Sequence, residues 1–191
     1  MENSKSEIIK QVCDAISGDG VVKAKSILAK NYPFEAFVKS IRSYTKKQMI
    51  RVFLRDGFID RYSGERLIFP PVLRLISNQI PKEFPYHPYW KMSECHIAYW
   101  QLSPTIDHIV PISRGGIDEE SNWVCTSQLK NSAKSNWLLE ELGWELYKSG
   151  NLEEWDGMLS WFIKFMEENP KDKEDNFLNS WYKTAVNTFK E

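Results

Sequence analysis

Residues 105–136 read TIDHIVPISRGGIDEESNWVCTSQLKNSAKSN. Thr105–Pro111 alternates apolar and polar side chains and suits a short strand. Ser113-Arg114-Gly115-Gly116 supplies a loop with glycine freedom. Asn122–Thr126 reads as the return strand, and Ser127–Trp137 opens a helix on which Asn131 and Lys134 stand three apart and share a face. Strand, loop, strand and helix then bring Asp107, His108, Asn122, Asn131 and Lys134 toward one small site. Neighbouring residues of a regular strand point to opposite faces, so Asp107 and His108 can both serve that site only if the strand ends or bulges there.

That set of side chains suits phosphodiester hydrolysis. The reaction needs a base for water, a cation against the charge on phosphate and leaving oxygen, and something to hold the base. An imidazole with a pKa near ~6.5 is substantially neutral at physiological pH, so His108 qualifies as the base. Asp107 offers a hard anionic oxygen and Asn131 a neutral amide oxygen. Two protein oxygens leave room for water and phosphate on an ion that dehydrates reluctantly, as Mg²⁺ does, or Mn²⁺ in its place. Asn122 can fix the imidazole through a hydrogen bond from its side chain or backbone. Arg114 and Lys134 are candidates to bind backbone phosphates, with a loop salt bridge to Asp118 or Glu119 as the plain alternative for Arg114.

The rest of the chain reads as mainly helical. Ser4–Glu7 and Thr45–Gln48 are capping boxes ahead of apolar residues at helical spacing. Further helices are expected over Val21–Ala29, Phe34–Ser43 and Pro71–Gln79. Residues 81–104, rich in proline and aromatics, suggest ordered irregular structure. After Asn136 three apolar faces follow: Leu138, Leu142 and Leu146; then Trp155, Met158, Leu159, Phe162 and Met166; then Leu178, Trp181, Tyr182, Ala185 and Phe189.

The net charge of −1 hides an asymmetry. Residues 137–191 carry six basic and twelve acidic side chains, and residues 1–136 carry 19 basic and 14 acidic. Residues 36–55 hold six basic side chains and no acid, Lys46, Lys47 and Arg51 among them. Such a block can lie against phosphates, or be a solvated helix face. With 42% hydrophobic and 14% aromatic residues in 191, a real core is expected. No apolar run of membrane-spanning length occurs, so no membrane association is expected. Three widely spaced cysteines and an N-terminus without a hydrophobic signal core suggest a reducing cytoplasm.

Asp107-His108, Pro111, Arg114-Gly115-Gly116, Asn122, Asn131 and Lys134, with Asn122 14 residues after His108 and Asn131 nine after that, resemble the signature of HNH endonucleases. The resemblance covers roughly residues 53–137. It implies a ββα-metal core inside a mainly α chain, with a helical extension over 1–52 and an acidic helical extension over 138–191. It implies catalytic roles for His108 as general base and Asn122 as its orienting partner, and one Mg²⁺ per site on Asp107 and Asn131. Lys134, Arg114, Lys46, Lys47 and Arg51 are the expected substrate contacts. Double-stranded DNA is the implied substrate, cut to 5′-phosphate and 3′-hydroxyl ends, with a homodimer as one route to a double-strand break. Many small members carry two Cys-x-x-Cys pairs for a structural zinc. Here Asp60 and Ser63 stand in place of the first pair, Ser127 and Lys130 in place of the second. No structural zinc is therefore expected, and packing by Phe58, Tyr62 and Trp123 is expected to replace it. His87 and His96, each among aromatics, read as structural. The competing readings are a nucleic-acid or protein-binding module that keeps the fold without catalysis, and an RNA-directed nuclease.

Overall fold

The computed structural model describes residues 4–34, 36 and 43–188, and divides the chain into two compact units, Met1–Ser40 and Ile41–Glu191. The first unit contains α1 (Lys5–Ser17) and α2 (Val21–Asn31). The Ser4 hydroxyl accepts the Glu7 N–H at 3.3 Å and so starts α1 as its capping pattern predicts. Ile8, Ala15 and Ala24 are buried between these helices. Most of the helix expected over Phe34–Ser43, together with Lys39 and Arg42 of the basic block, lies outside the described residues, as does Phe189.

In the second unit, α3 (Lys46–Arg55) opens with the Thr45–Gln48 capping box, and its Ile50, Val52 and Phe53 are fully buried. After a turn, α4 (Pro70–Gln79) begins on two prolines, whose missing N–H groups would have no helical partner at that end. Residues 81–97 are turns and bends, and α5 (Ala98–Gln101) leads into β1 (Pro104–His108). β1 pairs antiparallel with β2 (Trp123–Ser127), His108 opposite Trp123 and Pro104 opposite Ser127. α6 (Gln128–Lys134) follows β2 at once, with the Ser127 hydroxyl accepting the Lys130 N–H at 3.1 Å. The ββα order read from the opening stretch is present, and β1 ends on His108.

The C-terminal segment departs from expectation at its start. One helical turn, α7 (Leu139–Leu142), stops at Gly143, where φ is +65°. The chain then runs alongside the loop after α3: Tyr147 N–H donates to the Arg61 carbonyl at 2.9 Å and Gly150 N–H to the Asp56 carbonyl at 3.0 Å. These backbone groups are used between segments instead of within a helix, so Leu146 shares no helical face with Leu138. A Cβ on Gly57 would lie 2.5 Å from the Gly150 backbone, and φ there is +65°, so this crossing requires glycine at 57. α8 (Leu159–Glu168) and α9 (Asn176–Thr188) complete the unit. Their Leu159, Phe162, Met166, Leu178, Trp181 and Ala185 lie in one core with Phe53, Phe58, Ile106 and Trp123. The change of charge sign at residue 137 therefore marks no packing boundary.

The outer edge of β2 is held by two buried aspartates. Asp56, fully buried, accepts the Cys125 N–H at 2.8 Å and is paired with Arg55 and Arg61. Asp60, 1% exposed, accepts the Ser127 N–H and the Thr126 hydroxyl, both at 3.0 Å, and the Tyr62 N–H at 2.9 Å. Arg61 N–H donates to the Cys125 carbonyl at 2.9 Å, and the Arg55 guanidinium to the Trp123 carbonyl at 2.6 Å. Residues 55–61 thus stand in for a third strand. Each buried donor left without its acceptor costs ~1–3 kcal/mol, so Asp60→Ala is expected to destabilise the protein by ~3 kcal/mol or more, and Asp60→Asn by less. Urea denaturation of the two variants checks the order.

Candidate functional site

The site forms where β1 ends under α6. Asp107, 8% exposed, accepts the Tyr62 hydroxyl at 2.7 Å on Oδ2 and pairs there with the Lys134 ammonium at 2.9 Å. Lys134 Nζ also donates to the His108 carbonyl at 2.7 Å and sits 5.6 Å from the Tyr62 ring centre. A fully buried ammonium is tolerated because an anion, a carbonyl and an aromatic face surround it. Burial, then the charge of Asp107 and the hydrogen bond donated to it, push the Tyr62 phenol far above its ordinary value.

His108 faces a different set of neighbours, as expected for adjacent strand residues. Its ring is 1% exposed. Nε2 lies 2.8 Å from Asp118 Oδ1, and the Trp123 indole N–H lies 3.0 Å from that same oxygen. A carboxylate only accepts, so Nε2 carries a hydrogen, and the 3.1 Å approach of Trp123 Nε1 to Nε2 is two donors converging on one acceptor. Nδ1 faces the Tyr44 hydroxyl at 3.4 Å. Asp118, on the loop between the strands, has a half-exposed side chain and closes the site from outside.

Asn122 is buried, but its side chain holds the loop and not the imidazole. Its Oδ1 accepts the Val110 N–H at 2.9 Å, and its Nδ2 donates to the carbonyls of Val110 and Ile117 at 2.9 and 2.8 Å. A carboxamide has both donors and acceptor, which is what a turn with unpaired backbone groups of both kinds requires. It positions Asp118 through Ile117. A Cβ on Gly116 would lie 1.9 Å from the Val110 oxygen, so the loop closes only over glycine.

Asn131 is half-buried on α6, one turn before Lys134. Lys134 itself is buried and engaged internally, which corrects its expected role as a phosphate contact. Arg114 pairs with Glu141 at 2.9 Å rather than with Asp118 or Glu119. The Lys46 ammonium, half-buried on α3, donates to the Ser180 hydroxyl and lies 5.6 Å from the Trp181 ring centre, turned toward α9. Lys47 is half-buried and Arg51 exposed on α3. His87 faces Glu94 at 3.6 Å, and His96 stacks on Phe84 at 4.2 Å. Among the described residues no three His, Cys, Asp or Glu side chains come together as a metal-binding group. No helix among them is long and apolar enough to cross a membrane.

Sequence reasoning missed Tyr44 and treated Tyr62 as filler and Asp118 only as a partner for Arg114. Asp118 had one signal, an acid two residues beyond the glycine pair. Tyr44, 64 residues from His108, had none.

Removing one member of a buried ion pair costs ~3–5 kcal/mol, so Lys134→Met is expected to lower the unfolding free energy by about that amount, where loss of a solvent-exposed phosphate contact would leave it nearly unchanged. The raised Tyr62 pKa gives a second expectation. The unfolded phenol ionises near ~10 while the folded one stays protonated, so this contribution to stability is intact below ~10 and declines as pH rises above it. Tyr99, pushed up to about 12 mainly by burial, behaves alike. Phenolate absorbance of the native protein should show both tyrosines silent at ~10, and urea melts should weaken above it. The chain matches no protein-family profile, no curated protein and no solved structure.

Proposed function

We propose that the chain is a metal-dependent endonuclease of the HNH type that hydrolyses DNA phosphodiester bonds. The observation that supports this best is the meeting of Asp107, His108 and α6 at the end of β1, where Lys134 on α6 touches both the Asp107 carboxylate and the His108 carbonyl. Asn131 lies on the same helix one turn earlier.

His108 is the general base. With Nε2–H committed to Asp118, the lone pair on Nδ1 takes the proton from water, and the resulting imidazolium is stabilised by the Asp118 carboxylate. Water must enter where the Tyr44 hydroxyl now faces Nδ1, a long contact at 3.4 Å and so a weak one. Trp123 and Asp118 keep the ring from turning.

Asp107 pairs at Oδ2 with the Lys134 ammonium, so a hard divalent cation would meet its other carboxylate oxygen, and Asn131, one turn before Lys134 on α6, carries the amide oxygen that the HNH resemblance assigns to the ion. Mg²⁺ on Asp107 and Asn131 would supply Lewis acidity toward the phosphate. Asp60, where zinc-bearing HNH proteins carry their first cysteine, accepts the Ser127 backbone N–H at 3.0 Å and so joins the two segments.

A second reading rests on the closure of the imidazole. His108 is 1% exposed and walled by Asp118, Tyr44 and Trp123, an arrangement that also suits a nucleic-acid-binding module with a retained HNH fold. Nicking of supercoiled plasmid, and of an RNA of equal length, separates these. Mg²⁺-dependent DNA cleavage is expected, abolished by EDTA and reduced ~10²–10⁴-fold in His108→Ala, the range a general base contributes. Asp118→Asn, which keeps the imidazole without its anionic partner, should retain part of the rate. Equal cleavage by wild type and His108→Ala would overturn the mechanism, and binding without cleavage would favour the module.

A further inference from the structure

Away from His108, a cavity of about 270 Å³ is walled by Tyr86, Trp90 and Tyr99 and rimmed by Phe177. The rings stand at angles to one another: Tyr86 and Tyr99 are 5.2 Å apart at 50°, Trp90 and Tyr99 5.6 Å apart at 64°. Tyr99 is fixed by hydrogen bonds of its hydroxyl to Ser77 at 2.6 Å and to the Leu73 carbonyl at 2.9 Å. Trp90 has a φ of +50°, a conformation that costs a non-glycine residue energy and so marks a position held by its surroundings. Arg74 also lines the cavity. The Arg74 guanidinium carbon lies 3.9 Å from the Tyr86 ring centre, and its buried Nε has no hydrogen-bond acceptor among the described residues.

We propose that this cavity is a subsite for one unpaired base of the DNA, and that the base it prefers is guanine. Aromatic walls suit a flat ring, since base–aromatic stacking is the common means of holding an unstacked nucleotide. An aliphatic occupant would offer the Arg74 guanidinium no acceptor. Arg presents donors only, so its partner must present adjacent acceptors, and O6 and N7 of guanine do so where adenine offers an acceptor beside a donor. Ser103 lines the cavity and directly precedes β1, which ends on His108. Five residues at ~3.3 Å per residue separate the cavity from the imidazole by ~16 Å, a span of a few nucleotides. The subsite would therefore select which phosphate reaches His108. This inference rests on DNA being the partner, but not on its being cut.

The test is fluorescence anisotropy in EDTA with two labelled single-stranded oligothymidylates, one with a central dG and one with a central dA. Wild type is expected to bind the dG strand about tenfold more tightly, within the range for a bidentate Arg–guanine pair. Arg74→Ala and Trp90→Ala should bring the two affinities together, and Trp90→Phe should retain most of the preference. Thermal melting identifies a variant that fails to fold. Should Trp90→Ala do so, Arg74→Ala on the half-buried rim decides alone. Absence of binding, equal affinities in wild type, or an undiminished preference in folded Arg74→Ala would each overturn the proposal. Retained dG preference in a protein that leaves plasmid uncut would remove the nuclease and keep the subsite.

Discussion

Two five-residue strands do not make a stable sheet in water, and the hairpin that carries Asp107 and His108 depends on the carboxylates of Asp56 and Asp60. These accept the outward N–H groups of Cys125 and Ser127 while neighbouring residues donate to the outward carbonyls. The edge is thereby covered, which both stabilises the hairpin and removes a template for pairing with another chain. Everything at the site inherits its position from this edge: β2 fixes the register of β1, and α6 starts from the last residue that Asp60 holds.

The same economy of charge appears one layer in. Lys134, Asp107 and Tyr62 form a closed set in which a buried cation and anion satisfy each other and a phenol completes the carboxylate. Breaking any member exposes the others to an unmet desolvation cost, so the group is held together as a unit. His108 is held separately, by a loop that Asn122 and Gly116 close and from which Asp118 reaches the ring. The carboxylate and the imidazole thus sit on one strand end yet answer to different parts of the fold.

The capping boxes, the proline start of α4 and the ββα order were legible because each is written in consecutive residues. What was not legible depends on distant ones. Leu138, Leu142 and Leu146 have helical spacing, but the backbone of 147–150 is claimed by residues 56–61, and no local pattern announces such a claim. Lys46, Arg114 and Lys134 read as phosphate contacts because a basic residue in isolation has no visible partner, and their contacts with Ser180, Glu141 and Asp107 come from distant segments. Asp60 and Ser127 were noticed only as departures from a cysteine pattern, and the acceptance of the Ser127 backbone N–H by Asp60 depends on a strand edge that consecutive residues do not reveal.

Trp123 touches the imidazole's acceptor with its indole N–H and stands edge-on to the ring at 6.4 Å. Indole emission responds to the hydrogen bonding of that N–H and to a nearby positive charge. Displacement of the Asp118 side chain would remove that hydrogen bond. The molecule therefore carries a built-in optical gauge of whether the loop bearing Asp118 is seated over His108, readable without a label once the signals of the seven other tryptophans are subtracted.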